Sequence, residues 1–447
     1  MALIRLVQPL VRPFSEFFRR EAASGIVLLL SSVLALVLAN LDWGPARYFP
    51  AIWESPLRLA INEFVLEKSL LHWINDGLMT VFFLIVGLEI KREVLEGELA
   101  SVQQAALPIA GALGGMLMPA LLFTLFNRGT ATASGWGIPM ATDIAFALAV
   151  LQLLGPRVPL ALKVFLTALA IVDDLGAVLV IAIFYTQDLR LDYLFMALGI
   201  WAMLGMLNIM GARSLFLYLP LGAVLWYFML KSGVHATLAG VMLAVTIPSR
   251  IGHSRGALLR LLEGRLAFIQ EEAHAGNTDP RTISEELEAL SEAVSSPAQR
   301  LEQRLHSVVS FGIIPLFAFA NTSLVIEPAV FQQLFSPLGL GIITGLLVGK
   351  PLGICLLAWL ATRLGWATLP AGITWRHLWS VGVVAGIGFT MSIFITLLAL
   401  GEKSEGEVVA KTAILVASLL AGGIGYVLLR TAPPVVPAAS VLPEQAA

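Results

Sequence analysis

The sequence predicts an all-α polytopic membrane protein with about twelve transmembrane helices, as its composition, hydropathy and segment lengths indicate. Of the 447 residues, 58% are hydrophobic and only 13% are charged, whereas about a quarter of an ordinary soluble domain is charged. The mean hydropathy is +0.86, and many apolar runs reach the roughly 20 residues that a helix needs to cross a bilayer. Such runs also differ from the short alternating strands of an outer-membrane barrel. The composition therefore excludes a water-soluble enzyme.

Charge and cysteine content exclude further classes of protein. The net charge of -2 provides no basic surface, so no nucleic-acid partner is expected. The single cysteine, Cys355, lies in an apolar run and can form no intramolecular disulfide. Structural zinc and redox chemistry are not expected, and nothing in the sequence indicates an organic cofactor. The composition predicts that the protein is surrounded by membrane lipid.

The apolar segments of spanning length follow one another along most of the chain. They begin near Ser24, Leu70, Ala106, Gly137, Val158, Leu191, Leu215, Val234, Leu305, Leu338, Leu378 and Val408. Alternating them across the bilayer puts about 19 Lys and Arg residues on the side of both termini and about 8 on the other side. Both termini are therefore predicted to be cytoplasmic. We expect one transmembrane domain over residues 1–431 and a disordered, Pro- and Ala-rich tail at 432–447.

Two stretches between the spans have a different character. In residues 41–69, Leu57 and Leu59 alternate with Arg58 and Ala60, which is the period of a strand. This stretch is either an ordinary extracytoplasmic loop or an exposed hairpin that can pair with a second subunit to form a homodimer. Residues 250–304 are polar and acidic, so we predict an extended cytoplasmic loop there rather than a separate domain.

Four ionisable side chains fall well inside apolar segments: Asp143, Asp173, Asp174 and Lys350. Each costs about 3 kcal/mol on insertion scales, so stability alone does not explain them. Asp173 and Asp174 lie near the middle of an apolar run, which is where an alternating-access carrier holds its ion. The alternative for the acid pair is a helix cap or a salt-bridged core pair. For Lys350, the alternative to a carboxylate partner is snorkelling to the interface.

Adjacent acids on one helix can divide their roles. Consecutive helical residues point about 100° apart, so one carboxylate can face a water-filled funnel while the other faces the bundle interior. Burial and a neighbouring like charge both favour the protonated form of a carboxylate. A proton and a small cation then compete for the same oxygens, and this competition couples their movements without covalent chemistry.

Two spans are predicted to be broken in mid-membrane. The first contains Pro139, followed closely by Thr142 and Asp143, and the second contains Gly386 and Gly388. Breaks free backbone carbonyls to coordinate a cation and leave helix ends whose charges Asp143 and Lys350 can neutralise. Alternatively, the glycines only allow close helix packing. The early and late positions of the breaks suggest an inverted-topology repeat with the two broken helices crossing at the midplane.

An ordered set of motifs connects the chain with a known family. The matching stretches are Asn75–Gly77, Val86–Glu93, Ala141–Ala147, Ala170–Gly176, Lys231–Gly240, Pro315–Asn321, Gly349–Gly353 and Gly386–Ser392. Through them the chain resembles the NhaA-type sodium/proton antiporters along most of its length, and these antiporters are themselves an established example of an inverted-repeat fold. The resemblance implies a pH-regulated protein of the bacterial inner membrane. Its activity would be electrogenic exchange of one cytoplasmic Na⁺ or Li⁺ for two periplasmic H⁺.

The resemblance also implies roles for individual residues. Asp174 would be the principal cation ligand, with Asp173 as a partner that switches between the ion and Lys350, while Thr142 and Asp143 would lie at the helix crossing. Residues linked to the pH response of the family correspond here to Glu89, Arg92, Glu93, His235, Glu302 and His306. The alternative for these charges is a solvated surface. The loop at 250–304 is longer than the family usually carries, and Gln303 replaces an expected histidine, so we hypothesise that the insertion shifts the activation pH.

Other functions would need different arrangements of these residues. An intramembrane aspartyl protease needs carboxylates from different helices on one water, which adjacent acids on one helix do not provide. A cation channel needs a ring of carbonyls or carboxylates. A sodium-coupled symporter of a small organic solute is the nearest alternative, but it needs a larger polar cavity than these few side chains indicate.

Overall fold

The structure is a computed structural model that describes residues 23–41, 48–61, 64–186, 188–250, 295–370, 372–401 and 404–433. Its longer helices in the first half of the chain are α1 (Ala23–Asn40), α4 (Met79–Glu96), α5 (Val102–Asn127), α6 (Ile144–Leu153), α7 (Leu160–Phe184), α8 (Leu191–Ile209), α9 (Leu215–Ser232) and α10 (Leu238–Thr246). In the second half they are α11 (Pro297–Val308), α12 (Ile314–Asn321), α14 (Pro337–Thr344), α15 (Lys350–Arg363), α16 (Trp375–Val384), α17 (Phe389–Leu400) and α18 (Glu405–Thr431). The short helices α2 (Phe49–Ile52), α3 (Leu70–His72) and α13 (Pro328–Gln333) complete the set, with strands β1 (Pro56–Ile61) and β2 (Phe64–Ser69).

The prediction of an all-α polytopic membrane protein is confirmed. Within the described residues, ten helical segments are long and apolar enough to cross a bilayer, and the bent pair α16–α17 raises the number to eleven. The segment predicted to begin near Val234 contains α10, whose nine residues extend over about 14 Å and are shorter than a full span. The total of twelve helices and the inverted repeat stay predictions.

Several spans contain irregular turns. A 3₁₀ helix at Ala133–Met140 precedes α6. The π-helical turns Trp73–Leu78, Val309–Ile313 and Gly345–Gly349 lead into α4, α12 and α15, respectively. A π-helical turn contains one residue more than an α-helical turn, and such turns often mark functional positions.

The chain divides into two compact units. The first comprises the described parts of Met1–Phe82, Glu93–Gln187 and Val309–Ala447. Within it α5 packs along α7 and α15, and α18 packs along α16 and α17. The second unit comprises Phe83–Arg92 and the described part of Asp188–Val308. Its apolar core joins α8, α9 and α10 through buried side chains such as Tyr218, Leu225 and Leu243.

Residues 56–69 form a hairpin, one of the two alternatives that the sequence left open. β1 and β2 pair antiparallel, from Pro56 opposite Ser69 to Ile61 opposite Phe64. The indole of Trp73 in the following π-helical turn donates a hydrogen bond to the carbonyl of Leu57 (3.2 Å) and ties the hairpin to the next span. Pairing of this hairpin with a second subunit stays a prediction.

The predicted cytoplasmic loop at 250–304 is too long at its carboxyl end, because residues from Pro297 onward belong to α11. Hydropathy misplaced this boundary at Leu305, since α11 is amphipathic: Ala298 and Leu301 are buried while arginine and glutamine side chains lower its mean hydropathy. Residues 251–294, where most of the loop and the hypothesised insertion lie, are outside the described residues. So is the tail beyond residue 433; α18 ends at Thr431, and the predicted domain boundary stays a prediction.

Candidate functional site

The candidate site lies in the first unit, where two interrupted segments meet. The first interruption is the extended stretch Ala141–Asp143, between the 3₁₀ helix Ala133–Met140 and α6. The second separates α16 from α17, which are bent by 52° at the break. The amide of Asp143 donates to the carbonyl of Ile387 (2.7 Å), and the Thr142 hydroxyl donates to the carbonyl of Ala385 (2.9 Å). The two breaks therefore satisfy each other's backbone groups, as buried backbone in a membrane requires.

The local sequence explains why the helices break here. Pro139 fills the space beside Gly345 and interrupts the helical ladder near the end of the 3₁₀ helix, because proline has no amide hydrogen. At the second break, a Cβ on Gly386 would lie 2.4 Å from the carbonyl oxygen of Leu346, so only glycine allows this approach. A Cβ on Gly388 would lie 2.2 Å from the hydroxyl of Ser392. Pro139, Gly386 and Gly388 thus shape the crossing.

A tyrosine holds the first segment in place. The Tyr185 hydroxyl, just beyond α7, donates to the carbonyl of Ser134 (2.9 Å) and accepts from the amide of Gly137 (3.2 Å). Burial raises the pKa of Tyr185 to about 12. The phenol therefore keeps its proton at physiological pH and continues to donate.

Asp143 lies at two helix N-termini. It is the N-cap of α6, where Oδ1 accepts from the amide of Phe146 (3.0 Å). Its Oδ2 accepts from both the amide (3.2 Å) and the hydroxyl (2.5 Å) of Thr390 in the first turn of α17. A carboxylate at a helix N-terminus is stabilised by the unpaired amides and the helix dipole. Asp143 therefore occupies the position where the sequence places an acid that neutralises positive helix ends.

Lys350 pairs with Asp173 in the protein interior. The ammonium Nζ lies 2.6 Å from Oδ2 of Asp173 and donates to the hydroxyl of Thr142 (2.9 Å). The side chain of Lys350 is 0% exposed and that of Asp173 is 1% exposed. Lys350 therefore does not snorkel to an interface, and the pair connects α15 with the middle of α7 at the crossing.

A widened turn positions the lysine. Lys350 follows the π-helical turn Gly345–Gly349 and is itself followed by Pro351. Because proline supplies no amide hydrogen to the preceding turn, the helical ladder there is free to widen. The glycines also permit close packing, since a Cβ on Gly349 would lie 2.8 Å from the Cα of Pro119. The ammonium thereby reaches α7 without leaving the bundle.

The two adjacent acids can hold a cation or protons. Asp173 and Asp174 are both buried on α7, and Oδ1 of Asp173 has no hydrogen-bond partner among the described residues. The charge of Asp174 also acts on Lys350. Carboxylate oxygens beside unwound backbone are the ligands that transporters offer to Na⁺ and H⁺. The arrangement is therefore suited to binding a small cation and to exchanging it for protons.

The residues linked to the pH response do not form one cluster within either unit. In the second unit, the guanidinium of Arg92 pairs with the carboxylate of Glu302, and Nδ1 of His306 lies 3.9 Å from Oε1 of Glu89. His235 contacts the Thr237 hydroxyl (3.2 Å), ahead of α10. In the first unit, Glu93 accepts a hydrogen bond from the amide of Glu98 (3.0 Å). The structure therefore brings together four of the six residues as two pairs on α4 and α11.

The structure buries several polar or charged side chains that were not singled out from the sequence. The Ser418 hydroxyl of α18 accepts from the amide of Phe389 (3.1 Å) and caps α17 at the crossing. Lys411 and Lys163 are buried as well, in addition to the four intramembrane charges that the sequence predicted. Lys411 was visible in the sequence, because it stands within the apolar run that begins near Val408.

A bundle of spanning helices with an acid pair and a lysine buried at the crossing of two broken helices defines the class of secondary transporters. Within that class, a family model described as Na+/H+ antiporter 1 matches residues 15–429. Among curated relatives, the Na(+)/H(+) antiporter NhaA of Oleidesulfovibrio alaskensis is 49% identical over 430 residues, covering 95% of each chain. The NhaA 2 protein of Flavobacterium johnsoniae is 47% identical, covering 94% of this chain and 92% of its own. The NhaA protein of an Escherichia coli strain is 46% identical, covering 93% and 97%, respectively. The chain belongs to the Na⁺/H⁺ antiporter family.

Proposed function

We propose that the protein exchanges Na⁺ for H⁺ at Asp173 and Asp174 by alternating access. The observation that carries this proposal is the buried contact of Lys350 with Asp173 (2.6 Å), beside Asp174 and at the crossing of two interrupted segments. Family membership supports it, because the matched family and the similar proteins are named for Na⁺/H⁺ antiport. A sodium-coupled symporter receives no support from these names.

The charges at the site explain the coupling. Asp173 and Lys350 neutralise each other, so one negative charge remains with Asp174 when all three groups are ionised. A buried net charge is costly, and either a proton or Na⁺ removes it. Because the two occupants compete for the same oxygens, each displaces the other. Binding of Na⁺ by both acids also weakens the hold of Asp173 on the ammonium of Lys350, which connects ion binding with the contact between α15 and α7.

The proposal also includes the stoichiometry of exchange, the location of the protein, its pH response and its assembly. The cycle exchanges one cytoplasmic Na⁺ or Li⁺ for two periplasmic H⁺: one proton leaves Asp174 as Na⁺ binds, and the second leaves the pair of Lys350 and Asp173 as that pair opens, so the cycle carries net charge and serves sodium and pH homeostasis. The protein lies in the bacterial inner membrane among lipid, with both termini in the cytoplasm. Glu89, Arg92, Glu93, His235, Glu302 and His306 set the pH response. The hairpin of β1 and β2 joins two subunits in a homodimer.

Proteoliposomes with a trapped pH-sensitive dye test the exchange. With an imposed inward-acidic gradient, adding Na⁺ to the outside should collapse the gradient at a rate that depends on the amount of protein. Vesicles without protein provide the control. If the gradient persists when Na⁺ is added to vesicles that contain inserted wild-type protein, the proposal is wrong.

Asp174→Asn should abolish this exchange while the protein still inserts, because the amide keeps the size of the side chain but offers no exchangeable negative charge. Asp188→Asn is a matched control, since the backbone at Asp188 has a positive φ of 45° that asparagine also tolerates. Asp188 lies beyond α7, outside the crossing. Sodium-dependent proton movement at the wild-type rate in Asp174→Asn would remove this residue from the mechanism.

A further inference from the structure

A second ion pair is buried in the first unit away from the crossing. On α18, Nζ of Lys411 lies 2.6 Å from Oε1 of Glu407, one helical turn earlier, and Lys411 is 3% exposed. Charged side chains inside a spanning segment are costly to retain and generally mark ion pathways. Apolar residues of similar volume would pack at least as stably as such a pair. The proposed ion site does not use either residue.

The pair extends through two buried amides to neighbouring spans. Nζ of Lys411 lies 3.4 Å from Oδ1 of Asn321, at the end of α12. The side-chain nitrogen Nδ2 of Asn321 donates a hydrogen bond to Oδ1 of Asn75 (2.8 Å), in the π-helical turn Trp73–Leu78. Asn75 follows β2 closely in the chain, so this polar cluster lies at the end of the spans that carries the hairpin. We call Asn75, Asn321, Glu407 and Lys411 the hairpin-side cluster.

The cluster continues toward the surface. Asp76 is the chain neighbour of Asn75, and its carboxylate lies 2.9 Å from Nε2 of His72. The side chains of His72 and Asp76 are 26% and 14% exposed, respectively. His72 and Asp76 thus connect the partly exposed start of this span with the buried side-chain amides of Asn75 and Asn321. Asn75 and Asp76 both lie in the π-helical turn, which widens the helix.

In the other direction, the cluster points along α18 to the crossing. Ser418, which caps α17 there, lies seven residues beyond Lys411. Seven residues are about two turns and about 10 Å, and they bring both side chains to nearly the same helix face. The aromatic rings of Phe317 and Phe394 contact each other edge to face, with centroids 6.2 Å apart. Phe317 is one turn from Asn321, and Phe394 is one turn from Thr390, so the rings stand between the cluster and the crossing.

We propose that the hairpin-side cluster is the passage through which the transported ions travel between Asp174 and the hairpin side of the membrane, and that Phe317 and Phe394 form its gate. This inference rests on the proposed exchange function. Carboxylate and amide oxygens replace the hydration of a small cation. The titratable groups Glu407, Asp76 and His72 relay protons, as carboxylates and imidazoles do in transporters. Paired aromatic rings exclude water from a narrow path. The ammonium of Lys411 repels a cation, and the carboxylate of Glu407, which already contacts it, offsets that repulsion, so the pair regulates entry.

Exchange rates test the passage. Lys411→Met and Glu407→Gln should each lower the rate of sodium-driven proton movement in proteoliposomes by about tenfold or more, equivalent to a barrier higher by about 1.4 kcal/mol. Lys411→Arg keeps the charge and should restore most of the rate. Proton release on adding Na⁺ to the detergent-solubilised variants should match the wild type, because the crossing itself is intact. Wild-type rates in both variants, or loss of proton release together with the rate, would overturn the proposal.

Reaction of introduced cysteines provides an independent test that does not depend on tolerance of the charge changes. In a Cys355→Ser background, Asn321→Cys should react with a small cationic thiol reagent added from the hairpin side, and faster during exchange. Thr412→Cys is the matched control, because Thr412 is buried next to Lys411 on the same helix and its hydroxyl bonds the carbonyl of Val408. It should not react.

The two tests separate the passage from the function on which it depends. If the wild type itself exchanges no ions, the proposed function fails. If the wild type exchanges ions while Asn321→Cys reacts no faster than Thr412→Cys, the passage is wrong and the exchange function stands.

Discussion

At the scale of single residues, Thr142 illustrates how a neutral hydroxyl organises a charged site. Its oxygen accepts a hydrogen bond from the ammonium of Lys350, and its hydrogen is donated to the carbonyl of Ala385. The hydroxyl therefore connects the lysine with the broken end of α16, where no backbone amide is available to that carbonyl. Removing one partner from a buried hydrogen bond leaves the other unsatisfied, which costs about 1–3 kcal/mol.

Thr142→Val should accordingly lower the thermal stability of the purified protein and slow exchange, because it deprives both Lys350 and Ala385 of a partner. Unfolding followed by intrinsic fluorescence, with exchange measured in proteoliposomes, checks both effects. Thr396→Val is the control. The Thr396 hydroxyl is equally buried but bonds the carbonyl of Ser392 within its own helix, where the helical ladder already satisfies that carbonyl. Equal stability and exchange in the two variants would contradict the role given to Thr142.

At the scale of elements, the approach of α5 to α15 determines where the lysine lies. Gly114 and Gly353 face each other so closely that a Cβ on Gly114 would lie 1.9 Å from the carbonyl oxygen of Gly353, and one on Gly353 would lie 2.0 Å from that of Gly114. Small residues that let helix backbones approach are typical of membrane helix interfaces. Gly353 is less than one turn beyond Lys350, so this contact also positions the ammonium.

Gly353→Ala should lower both the yield of folded protein and the exchange rate, since the added methyl group meets backbone that cannot rotate away. Overpacking of this kind costs about 1–3 kcal/mol, occasionally more. Size-exclusion chromatography of detergent extracts measures the folded fraction. Gly199→Ala on α8 is the matched control, because no atom lies within 4 Å of its added Cβ, and it should fold as the wild type does. A normal yield and rate for Gly353→Ala would show that α5 and α15 can separate freely.

At the scale of the whole molecule, exchange depends on two occupants that exclude each other. If one proton competes with Na⁺, the half-saturating sodium concentration should rise about tenfold for each pH unit below the range where the acids ionise, and up to about a hundredfold if two protons compete. Transport measured against pH at several sodium concentrations checks this. Titration calorimetry in buffers of different ionisation enthalpy should show protons released as Na⁺ binds. Sodium affinity that is independent of pH would contradict the competition.

The features of the fold that could be predicted are those that depend on consecutive residues of the chain. Apolar length and low charge are properties of consecutive residues, so the spans, the buried Asp173, Asp174 and Lys350 and the two breaks could be predicted. Boundaries were predictable only where hydropathy changes sharply, which is why α11 was expected to begin at Leu305 rather than Pro297. The pair Glu407 and Lys411 has a readable spacing of one helical turn, but the sequence does not show which buried groups of other helices the pair contacts.

The sequence by itself determined that charged side chains must be kept within a bilayer and identified four of them, Asp143, Asp173, Asp174 and Lys350, because hydropathy is a property of consecutive residues. Only the tertiary structure decided their partners. The sequence predicts three intramembrane acids that could pair with Lys350. In the fold, Lys350 contacts Asp173, 177 residues away, whereas Asp143 accepts hydrogen bonds at the N-termini of α6 and α17. The physical reason is that burial follows from a residue's neighbours along the chain, whereas a hydrogen bond depends on which helices come within about 3 Å of each other.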